Sequence, residues 1–180
     1  MIFLKRWVAL SIPIGFLAAF TVMFIDVCIS NLWSFLYDLY TVHPYIALIL
    51  PGIAIGSVGL LMKTMTKTPH IQGTEEVLYA YNSIDGEIDT SSSFIKAVSA
   101  ILTIGFGGSA GLEGPSIHAG ASIATWLYKK LRLPSKQDRR IMVIAGAAAG
   151  ISAIFKAPLT GVVFALEVPY KDDLAHEALV

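Results

Sequence analysis

From Trp7 to Ile25 the chain carries no charged residue, directly after Lys5 and Arg6, and it stays mostly apolar as far as Tyr37. A helix rises about 1.5 Å per residue and the hydrocarbon core of a bilayer is about 30 Å thick, so this stretch is long enough to cross at a tilt. A secretory signal peptide shares the basic start and the apolar core. The length of the run and the spans that follow it favour a membrane helix. Tyr40 to Met62 is a second uncharged run of sufficient length, interrupted by Pro44, Pro51, Gly52 and Gly56, and it reads as a span with kinks. With 55% of the 180 residues hydrophobic and only 14% charged, the chain falls outside the range of soluble domains. The expected class is an all-α, polytopic membrane protein. Thirteen basic residues balance thirteen acidic ones, so no nucleic-acid partner is indicated, and the lone Cys28 excludes an internal disulfide.

Residues 63–93 are polar and read as a loop, a short helix starting near Thr74, and a second loop. Thr74 supplies a capping hydroxyl and Glu75 and Glu76 supply acid to the first turn. After Lys96 the apolar runs change character: Ala97 to Leu112, Gly114 to Tyr128, Ile141 to Phe155 and Ala157 to Leu166 are each short for a full crossing and bounded by glycine or proline. Such a series predicts tilted and broken helices that stop within the membrane. A helix that starts there presents unpaired backbone N–H groups and a partial positive charge, which a nearby anion satisfies.

Glu113 stands at one such start. In Glu113-Gly114-Pro115-Ser116 the proline fits a first helical turn, so the spacing predicts a helix from here towards Tyr128 with the carboxylate at its mouth. Glycines at 105–111 alone would serve close helix packing, and GAAAG at 146–150 reads that way. A carboxylate at membrane depth is costly and belongs to a cavity, a partner or a pathway. His118 lies about 140° around the helix from Glu113, so the two do not share a face, and His118 reads as a packed polar residue. No metal-ligand, phosphate-loop or nucleophile-elbow pattern is present, so neither an enzyme nor a bound metal or other cofactor is expected. Lys129, Lys130, Arg132, Lys136, Arg139 and Arg140 crowd one short connection. The excess of basic residues in cytoplasmic loops places this loop, and the N-terminus with Lys5 and Arg6, inside. A patch for lipid headgroups agrees with the same placement.

Two stretches carry a resemblance. Gly111-Leu112-Glu113-Gly114-Pro115, followed by the run from Ala148 to Glu167 (AAGISAIFKAPLTGVVFALE), resembles the CLC family of chloride channels and chloride/proton antiporters. The likeness covers residues 45–168 well and the first span loosely. It implies the first part of an inverted-repeat architecture, with 1–180 as a single N-terminal portion of the transmembrane domain and the second repeat absent. It implies that Glu113 is the gating glutamate, whose carboxylate swings away to let the anion pass. It also implies that the backbone at Gly111, Leu112, Gly114 and Pro115 helps to bind that anion.

Three positions depart from the family pattern. Leu112 stands where the family has Lys or Arg, which weakens the local positive potential. The family's Gly-Ser-Gly-Ile-Pro motif has only a degraded counterpart in His70-Ile71-Gln72-Gly73-Thr74, where Gln72 or Thr74 would coordinate the anion beside Gly73. Val168 replaces the second glutamate that relays protons in the antiporters, which tilts the expectation towards passive conduction. Lys156, where many members have asparagine, has no explanation in the sequence.

The expected function is therefore transport of chloride or a similar monovalent anion, in the lipid bilayer and as a homodimer in the full-length protein. Alternatives are a chloride/proton or fluoride/proton antiporter, or a truncated, non-transporting membrane partner of another subunit. With no targeting segment recognised, the plasma membrane is the default location for this multi-pass chain.

Overall fold

The computed structural model describes residues 2–65 and 73–170. Seven α-helices and a closing 3₁₀ turn, Val168–Tyr170, account for nearly all of them: α1 (Ile2–Val42), α2 (Ile46–Met65), α3 (Thr74–Ser83), α4 (Thr90–Gly105), α5 (Glu113–Leu131), α6 (Lys136–Phe155) and α7 (Pro158–Glu167). No strand occurs among the described residues.

The first span is longer than its uncharged run. α1 is a single helix of 41 residues that carries Pro13 inside it and continues through Asp26 and Asp38. Its inward stripe is Ile14, Ala18, Val22, Ile25 and Ile29, all buried and spaced three or four residues apart. Phe16, Phe20 and Phe24 on the other side are more than half exposed. Leu48, on α2, is 84% exposed. Large apolar side chains displayed over whole helices suit a lipid environment, not water.

The second run is divided differently from the expectation. Tyr40 belongs to the last turn of α1, the chain breaks at His43–Tyr45, and α2 begins only at Ile46. Pro44 explains the break, because the residue before a proline is kept out of the helical region. Pro51 lies inside α2, as α-helices in membranes tolerate.

Two later helices, α4 and α6, begin earlier than the apolar runs suggest, while α5 starts where its Glu113-Gly114-Pro115 spacing predicts. The Asp89 side chain caps α4 by accepting from the Ser91 N–H at 3.1 Å, so Thr90 to Ser93 form a first turn and not a loop. α4 then ends at Gly105, and 106–112 is irregular rather than a continuation to Leu112. α5 starts at Glu113 itself, and α6 draws five polar residues, Lys136 to Arg140, into its first turns. α7 matches its expected range, with Pro158 in the first turn. At ten residues each, α3 and α7 are about 15 Å long, half of a hydrocarbon core.

α5 and α6 form the central pair, flanked by α1, with α3 and α7 packed against them and α2 against α4. Small residues let the central pair touch backbone to backbone. A Cβ added at Gly120 would collide with the Gly146 carbonyl, and one at Gly150 with the Ser116 carbonyl. The glycines of the 146–150 stretch therefore do serve packing. Around this crossing Val77, Ala80, Ile117, Ala121, Val143 and Ala147 make an apolar core shared by α3, α5 and α6.

The basic connection is largely paired. Lys136 donates to Asp85 at 2.7 Å, Arg139 donates to the Asp85 carbonyl at 2.8 Å, and Lys129 lies 3.6 Å from Glu87. Arg140 stacks on Tyr81 and Lys130 on Trp126. The turn between α3 and α4 thus clasps the α5–α6 connection. Gly86, with φ 75°, is needed there because a Cβ added to it would lie 3.1 Å from the Arg140 Cα. Arg6 at the start of α1 pairs with Asp138, which brings the chain's two basic segments to one end of the bundle.

Lys156 caps α6 in the left-handed region, with φ 54° and ψ 31°. Besides glycine, asparagine is the residue best suited to that conformation, which gives the family's asparagine a backbone reason and leaves Lys156 mildly strained.

Candidate functional site

Two helix starts meet on one side of α5. At the first, Leu112 caps α5 in a helical conformation without a side-chain hydrogen bond, and the first intrahelical bond runs from the Ser116 N–H to the Leu112 carbonyl at 2.9 Å. Pro115 brings no N–H, so the open donors of this turn come from the residues before it.

At the second start, Gly73 caps α3 with φ 62°, and Thr74 is the first helical residue. The expected capping hydroxyl of Thr74 is therefore corrected: no side chain caps α3. A cap residue with a side chain has no room here, since a Cβ at Gly73 would lie 3.0 Å from the Gly114 Cα. The two helix N-termini touch at this pair of glycines. Gly73, Thr74, Gly111, Gly114 and Pro115, singled out separately in the sequence, line one cavity of about 380 Å³. Gln72 lies outside the described residues.

Glu113 is exposed and turns back on its own chain. The position a Cβ would take on Gly111 is filled by the Glu113 carboxylate, whose Cδ would lie 2.9 Å from it. Gly111 has no positive φ, so its role is to leave space rather than to permit a turn. Among the described residues no cation lies within ion-pair distance of Glu113.

Behind these helix starts is a charged cluster that sequence reasoning did not find. Glu76 of α3, Lys96 of α4 and His118 of α5 are 8%, 9% and 2% exposed. Lys96 donates to Glu76 Oε2, and His118 Nε2 lies 3.0 Å from the same oxygen. Lys96 and His118 also line the 380 Å³ cavity, together with Glu75. Lys96 further reaches a second cavity of about 610 Å³ between α2, α4 and Gly111. His118 is packed and off the Glu113 face, as its spacing suggested, but it has a charged partner on another helix. The pairing joins positions 76, 96 and 118 across three helices, which no local pattern reveals. The one available signal was a lysine inside an apolar helix.

Val168 is half-buried at the end of α7, where it packs against the apolar core around Val77 and Phe164. No polar group is supplied by that side chain.

The geometry brings together two helix N-termini, which suit an anion, an exposed carboxylate beside them, and a buried charge cluster alongside. The chain is 40% identical over 109 residues to "Chloride channel protein CLC-c" of Arabidopsis thaliana, covering 53% of this chain and 14% of the relative. It is 26% identical over 179 residues to a "Chloride/fluoride channel protein" of Pseudomonas syringae pv. tomato, covering 98% of this chain and 38% of the relative. It is 38% identical over 73 residues to the "H(+)/Cl(-) exchange transporter ClcA" of Citrobacter koseri, covering 41% and 15%. The chain thus spans well under half the length of these relatives. The family described as voltage gated chloride channel matches residues 57–180, which hold both helix starts and the buried cluster, and the chain accordingly belongs to the CLC family of integral membrane proteins.

Proposed function

We propose that this chain forms the N-terminal part of a pathway that passes chloride or a similar monovalent anion, with Glu113 as its gate. The observation that carries the reading is the meeting of the α3 and α5 N-termini at Gly73 and Gly114, with the Glu113 carboxylate folded over Gly111 beside them. The open N–H groups of Gly111 to Gly114, and those at Gly73 and Thr74, suit an anion that has left its water. A carboxylate on the same donors is a competitor for that anion. Protonating it, or swinging it outward, frees the place.

Glu76 in the first turn of α3 would repel an anion were its charge open. Lys96 neutralises it, and the helix start keeps its attraction. Val168 favours passive conduction, since an apolar side chain set into the core relays no proton. The named relatives include both channels and an exchanger, so coupled antiport is the second reading. The full-length protein is proposed to be a homodimer in the plasma membrane with its N-terminus in the cytoplasm.

The test is simultaneous chloride efflux and proton uptake in liposomes with the full-length protein, beside Glu113→Gln. The expected outcome is chloride movement without coupled protons, raised in the variant and there less dependent on pH. Unchanged flux and pH response in Glu113→Gln would remove Glu113 from the gate. Protons moving in fixed ratio to chloride would establish the antiporter.

A further inference from the structure

We propose that His118 is a positioning residue that decides how firmly Glu76 holds Lys96, making anion binding at the α3–α5 cavity sensitive to pH independently of Glu113. The inference rests on the anion-path reading above and adds a second, buried control to it.

Lys96 and His118 both approach Oε2 of Glu76, from different helices, in a site where all three side chains are at least nine-tenths buried. With His118 neutral, the charges of this carboxylate and this ammonium offset each other. Histidine is the side chain that ordinarily changes charge near neutral pH. A proton on His118 makes it a full competitor for Oε2, and the cluster then carries one positive charge in surroundings of low dielectric. Lys96, which lines both cavities, is the group released towards them.

The groups that face His118 support this assignment. From α3 come Glu76, in contact, and Glu75 on the cavity wall. From α4 comes Lys96. On its own helix Glu113 is the charged residue of the first turn. α6 meets this part of α5 with the uncharged stretch 146–150, and among the described residues no charged side chain of α1 or α6 lies within ion-pair distance of His118. Glu75 and Glu113 are the other carboxylates near this site, so the test must separate His118 from each of them.

Chloride binding to the full-length Glu113→Gln protein, measured by calorimetry at pH 5.5 and pH 7.5, is expected to tighten on acidification by about tenfold, the order of effect of one added charge near a bound anion. His118→Gln in the same background should abolish that tightening and leave binding at its weaker level at both pH values. His118→Asn is the second variant, should the glutamine protein fail to fold. Tightening that survives either substitution overturns the proposal, because Glu75 would then be the titrating group. Binding of ordinary strength that does not change with pH in Glu113→Gln overturns it as well, while leaving the anion path intact. No chloride binding at either pH, together with no chloride flux through the wild-type protein, defeats the anion-path reading and this proposal with it.

Discussion

Gly111→Ala tests whether the folded-back carboxylate is the closed gate. The substitution adds one methyl group where the Glu113 carboxylate now lies. Its Cβ would sit 2.9 Å from Cδ and overlap one carboxylate oxygen. Ordinary contact between such atoms begins near about 3.5 Å, so Cδ must retreat by at least roughly 0.5 Å and the oxygen by more. Gly111 has no positive φ, and alanine suits its backbone. The strain therefore falls on the glutamate side chain. Overpacking of this kind costs about 1–3 kcal/mol in the arrangement that suffers it. If that arrangement is the closed one, its population relative to open falls between about fivefold and a hundredfold.

Chloride efflux from liposomes holding the full-length protein reads this directly. Gly111→Ala should raise efflux within that range where the gate is mostly closed, and should add little to Glu113→Gln. The two changes act on one contact, so their effects are non-additive. Wild-type efflux in Gly111→Ala, or effects that multiply in the double variant, would refute the assignment of this conformation to the closed gate.

Two further predictions concern the scaffold. Gly120→Ala drives a methyl into the Gly146 backbone, with its carbonyl carbon at 2.9 Å and the Gly150 nitrogen at 3.1 Å, so α5 and α6 must part; a loss of about 1–3 kcal/mol should appear as a lower melting temperature in detergent. The Lys136 ammonium, hydrogen-bonded to Asp85, holds the Asp85 carboxyl below its usual range, so its contribution is present above an unfolded value of about 3.9 and is lost as pH falls through the folded one. Asp85→Asn should melt slightly below wild type at pH 7, and the difference should close below about pH 4; a difference that persists in acid would place the effect in the backbone turn.

Element type was legible in the sequence because hydropathy and glycine or proline punctuation report membrane helices directly. Boundaries were less so. The polar residues Thr90 to Ser93 and Lys136 to Arg140 are helical through a side-chain cap in one case and ion pairs with the α3–α4 turn in the other. Neither cause shows in hydropathy. Glu113 was legible as a charge among helix-breaking residues, and Gly73 and Thr74 as a degraded motif. The contact of Gly73 with Gly114 was not, because it joins chain segments some forty residues apart with no side chain to signal it. Glu76, Lys96 and His118 were read one at a time as a first-turn acid, a boundary marker and a packed polar residue. Only their packing on three helices makes them a cluster.

Leu112 is where these observations bear on one another. A basic residue at this helix cap would place a cation beside the open N–H groups, whereas here Lys96, which lines the cavity at the helix starts, is already held by Glu76. On the proposed pathway the anion would be left to the backbone amides and helix dipoles, which are weaker than a full charge. Leu112→Lys should therefore tighten chloride binding, but the same charge also attracts the Glu113 carboxylate. In the wild-type background the two gains oppose each other, and the net change should be small. In Glu113→Gln the competitor has lost its charge, and chloride binding should tighten by about tenfold. Calorimetry on both backgrounds checks this. Equal tightening in the two would mean that Glu113 and the anion do not share a place, and that the carboxylate folded over Gly111 is not in competition with the ion.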